Sequence, residues 1–122
     1  MAKKDSFFVN RVKSVGYALK GAILLLKTES SIKIQFFIGL LTTAAGFYYH
    51  ISSTEWMVQI LAIGIVMGTE GLNTAIEAMA DFIHPDFNSK IGFIKDISAG
   101  AVFIAATAAV LVGLIIYMPK VF

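Results

Sequence analysis

Three long apolar runs, over about residues 34–49, 56–83 and 97–117, constrain this chain more than any other feature. A helix needs about 20 mostly apolar residues to cross the hydrocarbon core of a bilayer. Within that core every backbone N–H and C=O must be paired inside the protein, which a helix achieves within one segment. The expected fold is therefore all-α and membrane-embedded. Transmembrane helices are expected over about residues 32–50, 56–83 and 97–118, preceded by a further helix over about 6–28, with residues 1–122 forming one domain. Composition agrees, because 57% of residues are hydrophobic and only 15% are charged. A soluble domain of this length needs more polar surface. Tyr48, Tyr49, Trp56 and Tyr117 fall near the ends of the runs, where interfacial aromatic belts form. Cysteine is absent, which excludes disulfides and thiolate metal sites. The first apolar run starts too late for a cleavable signal peptide.

The formal charge is only +2, but seven of the ten basic residues precede residue 34: Lys3, Lys4, Arg11, Lys13, Lys20, Lys27 and Lys33. Lys90 and Lys95 lie around the second loop, and Lys120 stands alone near the C-terminus. The turn around residues 50–55 carries no Lys or Arg. The positive-inside rule then places the N-terminus and the second loop in the cytoplasm, and the first turn and C-terminus outside.

Phe8, Val12, Val15, Leu19, Ala22 and Leu26 recur at three- and four-residue steps before the first span, the period of a helix face. Lys13, Lys20 and Lys27 form a separate stripe. An apolar face beside a basic one reads as an amphipathic helix lying in the membrane surface; packing against the bundle is the alternative.

The second run holds Glu70, Asn73 and Glu77, whose offsets place them on one helix face, with Asp81 extending it. An acidic residue at the bilayer centre costs about 2.5–3.5 kcal/mol on insertion scales, so it calls for a reason. With Trp56 at the outer interface, about 20 residues at 1.5 Å each reach the inner interface near Ala75. Glu70 then lies in the inner third of the bilayer, with Glu77 and Asp81 at or beyond its cytoplasmic boundary. Lys95 and Asp96 fall at the same level, and Glu29 stands just before the first span. Asp81 and Asp86 read equally well as helix-end solvation and ion pairs or as members of a functional site; Glu70 is too deep for easy solvation.

Carboxylates and a lysine at a membrane surface suit phosphoryl transfer. Magnesium takes one or two protein carboxylates together with nucleotide phosphates. A separate carboxylate can accept a hydroxyl proton, and a lysine can neutralise phosphate charge. The common nucleotide signatures are missing. Gly16 and Gly21 have the Walker spacing, but Ala22-Ile23 follows where Lys-Ser/Thr is required. A protein-kinase glycine-rich loop and an Asp-Phe-Gly triplet are absent too. From spacing alone a membrane enzyme and a transporter both remain open.

Glu70-Gly71-Leu72-Asn73-Thr74-Ala75-Ile76-Glu77 running on to Asp81, and Lys95-Asp96-Ile97-Ser98-Ala99-Gly100, resemble the two hallmark blocks of the small bacterial integral-membrane diacylglycerol kinases and their undecaprenol kinase relatives. Gly16-Tyr17, Lys20-Gly21 and Glu29 resemble that family's N-terminal region. The resemblance covers nearly the whole chain and implies an ATP-dependent lipid kinase. It implies that Glu70 is the base toward the lipid hydroxyl and that Glu29 and Glu77 hold Mg²⁺ carried with ATP. It further implies that Tyr17, Glu29, Asn73, Glu77, Asp86, Asn88, Lys95 and Asp96 line the nucleotide site. Glu70, Ser31, Gln35 and Ala99 are the implied lipid contacts; Gln35 stands where some members carry Glu. A homotrimer in the cytoplasmic (inner) membrane is implied, with a membrane lipid and ATP as partners and no nucleic acid. The segment from Gly113 to Lys120, with Glu55-Trp56-Met57, looks closer to the undecaprenol branch. The rival reading is a small ion-coupled transporter, since intramembrane glutamates also relay protons; it does not call for Lys95 and Asp96 beside a cytoplasmic loop.

Overall fold

The computed structural model describes residues 6–122. They form four helices, α1 (Phe7–Thr28), α2 (Ser30–Tyr48), α3 (Ser53–Ile83) and α4 (Ser89–Val121). The last three are long and apolar enough to cross a membrane. The expected all-α membrane fold is what the chain adopts.

The helix boundaries follow from local chemistry. Ser6 caps α1 by accepting a hydrogen bond from the Val9 amide. Glu29 is extended (φ −101°, ψ 117°) and serves at once as the end of α1 and the start of α2, so the two helices meet at a one-residue elbow. At the other end of α2, the Ile51 amide reaches the Gly46 carbonyl at 3.1 Å and the His50 amide reaches that of Phe47 at 3.3 Å. This is the paired closure of a helix C-terminus that requires a left-handed residue, and His50 supplies it with φ 50°. Ser52 and Glu55 then form a reciprocal capping box that starts α3. Asn88 starts α4 by accepting from the amides of Lys90 and Ile91.

That cap starts the helix of the third span eight residues ahead of the expected span itself. Residues 89–96 contain Lys90, Lys95 and Asp96, so hydropathy placed the span start at 97, yet the helix begins at Ser89. At 1.5 Å per residue α3 and α4 run to about 46 and 50 Å, against a hydrocarbon core of about 30 Å. Their polar ends therefore continue as helix outside the apolar layer.

Packing follows a step of seven. The buried residues of α3 are Gln59, Val66, Asn73 and Ala80, and those of α2 are Ile32, Gly39 and Gly46. A seven-residue seam keeps one stripe of each helix facing its neighbour. The glycines allow close approach of α2 to α3. A Cβ at Gly39 would lie 3.3 Å from Ile63, and one at Gly46 would lie 2.7 Å from Trp56. These antiparallel pairs step by seven on each helix, so the same register brings Ile32, 2% exposed, to the level of Glu70. Helices α3 and α4 are antiparallel along their whole length, tied by Glu55–Lys120 near one end and Asp81–Lys95 near the other. Helix α1 contributes no buried residue, as expected of a surface helix, although its last turn also rests on α3 through Leu25 and Gly71.

Candidate active site

The face of α3 that meets α2 carries the acids. Ile63, Glu70 and Glu77 are spaced by seven, and Ile63 is the residue against Gly39 of α2. The carboxylates thus continue, turn by turn, the α3 wall that faces α2. Glu70 is half-buried and Glu77 exposed, while Asn73 between them is only 8% exposed. The Asn73 amide nitrogen donates to Glu77 Oε1 at 3.3 Å, and its Oδ1 is buried with no partner. A buried acceptor left unpaired costs about 1–3 kcal/mol, so this oxygen is set for a donor or a cation.

On the facing side, Glu29 sits in the elbow between α1 and α2 and is half-buried. Its extended backbone places it at the junction where both helices approach α3. Ser31 is exposed on the first turn of α2, and Gln35 one turn further along has its Oε1 buried and unpartnered. Gln35 opens onto an apolar cleft between α2 and α4, floored by α3. Two adjoining hollows of about 190 and 230 Å³ form it, sharing Ile38, Ile63, Ala109 and Val110. The Gln35 amide is thus the polar group at the acidic end of a mostly apolar groove whose far end is lined by Thr42 and Gln59.

Across α3 from these residues, Lys95 of α4 forms a 2.5 Å ion pair with Asp81. Asp81 is thus ion-paired at its helix end. Asp96 and Ala99 lie exposed on α4. Asp86 is exposed in the loop, and its carbonyl meets His84 Nδ1 at 2.8 Å. Asn88 spends its side-chain oxygen on the α4 cap. Tyr17 is exposed in mid-α1. Glu70, Asn73, Glu77 and Lys95 share the loop end of the bundle; Asp86 and Asn88 border it.

The donor set is compatible with one kind of metal. All the candidate ligands are oxygens: the Glu29 and Glu77 carboxylates and the orphaned Asn73 Oδ1. Among the described residues no three His, Cys, Asp or Glu side chains converge, so no closed protein cage of the zinc type is present. Magnesium needs none, because it keeps waters and substrate phosphates and takes one or two carboxylates.

Sequence reading missed one polar cluster altogether. At the opposite end of the bundle, the Tyr117 hydroxyl donates to Gln59 Oε1 at 2.5 Å and lies 3.1 Å from the Thr42 carbonyl, which also receives Gln59 Nε2 at 3.3 Å. Gln59 is 3% exposed. Its signal was its place in the seven-residue seam with Val66, Asn73 and Ala80, where a polar residue needs partners.

Four helices, three of them long and apolar enough to cross a membrane, thus carry a group of acids beside an apolar groove. Comparison with known proteins supplies the class: the prokaryotic diacylglycerol kinase family matches residues 16–117. Among similar proteins, the undecaprenol kinase of Bacillus subtilis (strain 168) is 33% identical over 108 residues, covering 88% of each chain. The diacylglycerol kinase of Escherichia coli (strain K12) is 29% identical over 111 residues, 91% of each chain. That of Synechocystis sp. (strain ATCC 27184 / PCC 6803 / Kazusa) is 32% identical over 111 residues, or 90% of this chain and 63% of the relative. The chain is a membrane lipid kinase, a phosphotransferase with an alcohol acceptor. It belongs to the prokaryotic diacylglycerol kinase family.

Proposed function

We propose that residues 1–122 form one catalytic domain that transfers the γ-phosphoryl group of ATP to the hydroxyl of a membrane lipid, undecaprenol or diacylglycerol. The observation that carries the reading is the α3 stripe. Glu70 and Glu77 stand two turns apart, about 10 Å at 1.5 Å per residue, on the wall that runs into the apolar cleft. That spacing lets one acid meet a hydroxyl held in the membrane and the other meet a water-borne nucleotide.

Glu70 accepts the hydroxyl proton as the phosphoryl group leaves ATP. The substrate's chain lies in the cleft between α2 and α4, with Gln35, Ser31 and Ala99 near its head. Glu77 and Glu29 would hold Mg²⁺, and Asn73, whose amide nitrogen donates to Glu77, would offer its unpaired Oδ1 to the cation or to one of its waters. Bound magnesium neutralises charge on the nucleotide phosphates. Lys95, oriented by Asp81, adds a positive charge at the same level. Asp96, Tyr17, Asp86 and Asn88 complete the nucleotide side. The identity to an undecaprenol kinase, 33% over 88% of the chain, is matched by 32% and 29% to diacylglycerol kinases, so the resemblance of residues 113–120 to the undecaprenol branch is what favours a polyprenol acceptor.

The topology in this reading has the N-terminus and the 84–88 loop in the cytoplasm and the 49–52 turn outside, in the cytoplasmic membrane. Single cysteines at His50 and Phe87 then label from opposite faces; labelling of both from outside rejects the orientation. We take the working form to be a homotrimer. Exposed small residues on α4, such as Ala99, Ala101 and Ala108, allow close contact between membrane helices.

The direct test is phosphate transfer from ATP by the purified chain in lipid, measured against diacylglycerol and undecaprenol in parallel. Transfer to undecaprenol well above diacylglycerol is expected. Transfer to neither rejects the proposal.

A further inference from the structure

Helix α1 buries no residue of its own, and yet its last turn reaches α3 at a point beside the proposed base. A Cβ built on Gly71 would lie 2.9 Å from Leu25 Cδ1 and 4.0 Å from Cδ2. The Leu25 side chain thus occupies the space that a side chain at position 71 would need. Gly71 follows Glu70 directly and precedes Asn73 by two residues. Leu25 is one turn before Glu29, and its carbonyl receives the Glu29 amide at 3.0 Å. The contact joins the elbow that carries Glu29 to the stripe that carries Glu70 and Glu77.

We infer that Gly71 is a positioning residue: it is a seat in α3 into which Leu25 fits, and this seat sets where Glu29 stands relative to Glu70 and Glu77. The kinetic part rests on the lipid-kinase reading above; the seat itself does not. Along the rest of α1 no residue is fully buried, so the Leu25 contact is a tight point of approach between this helix and α3. Without the seat, the elbow at Glu29 loses its tie to α3 and keeps its packing against α2. A Cβ at 71 displaces the leucine, whose flexible tip can yield to Ala but has less room to avoid a β-branched residue. The exchange Gly71→Val with Leu25→Ala keeps the same number of side-chain carbons across the contact, with the bulk moved to the other partner.

The test uses the full chain in lipid, which has no native cysteine, spin-labelled at Ser14→Cys on α1 and Phe87→Cys in the 84–88 loop. Gly71→Val is expected to shift and broaden the label distance. It is also expected to raise the half-saturating Mg²⁺ concentration by about tenfold, the low end for groups that orient metal ligands, with the lipid KM unchanged. The double variant with Leu25→Ala is expected to restore both, whereas Leu24→Ala beside Gly71→Val restores neither. Should Gly71→Val not assemble, Leu25→Ala alone empties the seat at a residue the bundle core does not contain, and the distance broadens in the same way. An unchanged label distance in these variants, or equal rescue by Leu24→Ala, overturns the seat. A parent chain that transfers no phosphate overturns the kinase reading instead, and the distances still decide the seat.

Discussion

At the turn end of the bundle, Tyr117, Gln59 and the Thr42 carbonyl close on one another, and Glu55 holds both Ser52 and Lys120. At the loop end, Asn73 Oδ1 and Gln35 Oε1 are buried without partners, and Glu70 stands half-buried on the stripe between them. Both ends place an amide in a buried or part-buried helix contact. At one end the amide's partners come from within the fold; at the other the fold supplies only part of them. Buried polar groups are paired in nearly all native structures. A fold that satisfies Gln59 and leaves Asn73 open therefore separates a structural cluster from a site that receives its partners from outside.

The largest test of this contrast is Glu70→Gln. The exchange keeps the shape and hydrogen bonding of the side chain and removes the proposed base. A positioned base contributes about 10²–10⁴-fold. Turnover is expected to fall by that amount while assembly and ATP binding stay normal. A turnover within a few-fold of the parent rules out the base role, and loss of assembly puts Glu70 with the structural residues of the turn end.

Next in size are Glu77→Gln and Glu29→Gln. Each is expected to raise the Mg²⁺ concentration needed for half-maximal rate by about tenfold or more, which is about 1.4 kcal/mol of binding. Lipid binding is expected to hold. A normal metal dependence in both variants leaves the orphaned Asn73 oxygen without the cation proposed for it.

How much of this contrast could be read beforehand differs between the two ends. The loop end was legible because its residues lie close together in sequence: Glu70, Asn73 and Glu77 share one helix face by spacing alone. The spans were legible from hydropathy, except where charge outside the membrane hid a continuing helix, as at Ser89. The turn end was not legible. Gln59 and Tyr117 are 58 residues apart, and their meeting depends on the register between α3 and α4, which no local pattern encodes. The Leu25–Gly71 contact escaped for the same reason. Tyr117 was read as an interfacial aromatic, which accounts for its ring and not for its hydroxyl.

A smaller effect is expected from Tyr117→Phe. It removes one hydroxyl and leaves Gln59 Oε1 without its donor in a residue 3% exposed. Hydrogen bonds between membrane helices are worth about 0.6 kcal/mol on average and up to about 1.7. Thermal denaturation in detergent is expected to show a loss within that range, with turnover at moderate temperature unchanged. A fall in turnover without a fall in stability would show that the turn end takes part in the reaction and would break the division between the ends.

The smallest effect is expected at His50. Its φ of 50° is imposed by the closure of α2, in which the amides of His50 and Ile51 reach back to Phe47 and Gly46. A left-handed backbone costs a residue with a Cβ roughly 1–2 kcal/mol. His50→Gly removes that strain, but glycine loses about 0.5–1 kcal/mol more backbone entropy on folding. The net is a gain between about 0 and 1.5 kcal/mol, below the upper bound for Tyr117→Phe and of opposite sign. The turn is held by Ile51, 6% exposed, and by the Ser52–Glu55 box, so the exchange has no route to unfasten α2 from α3. A slightly higher denaturation temperature with unaltered turnover and Mg²⁺ dependence is expected. A lower denaturation temperature would mean that the imidazole makes a stabilising interfacial contact, which belongs to the paired chemistry of that end. An altered Mg²⁺ dependence would instead mean that strain at the turn is transmitted along α3 to Glu77, and the two ends would then have to be treated as one device.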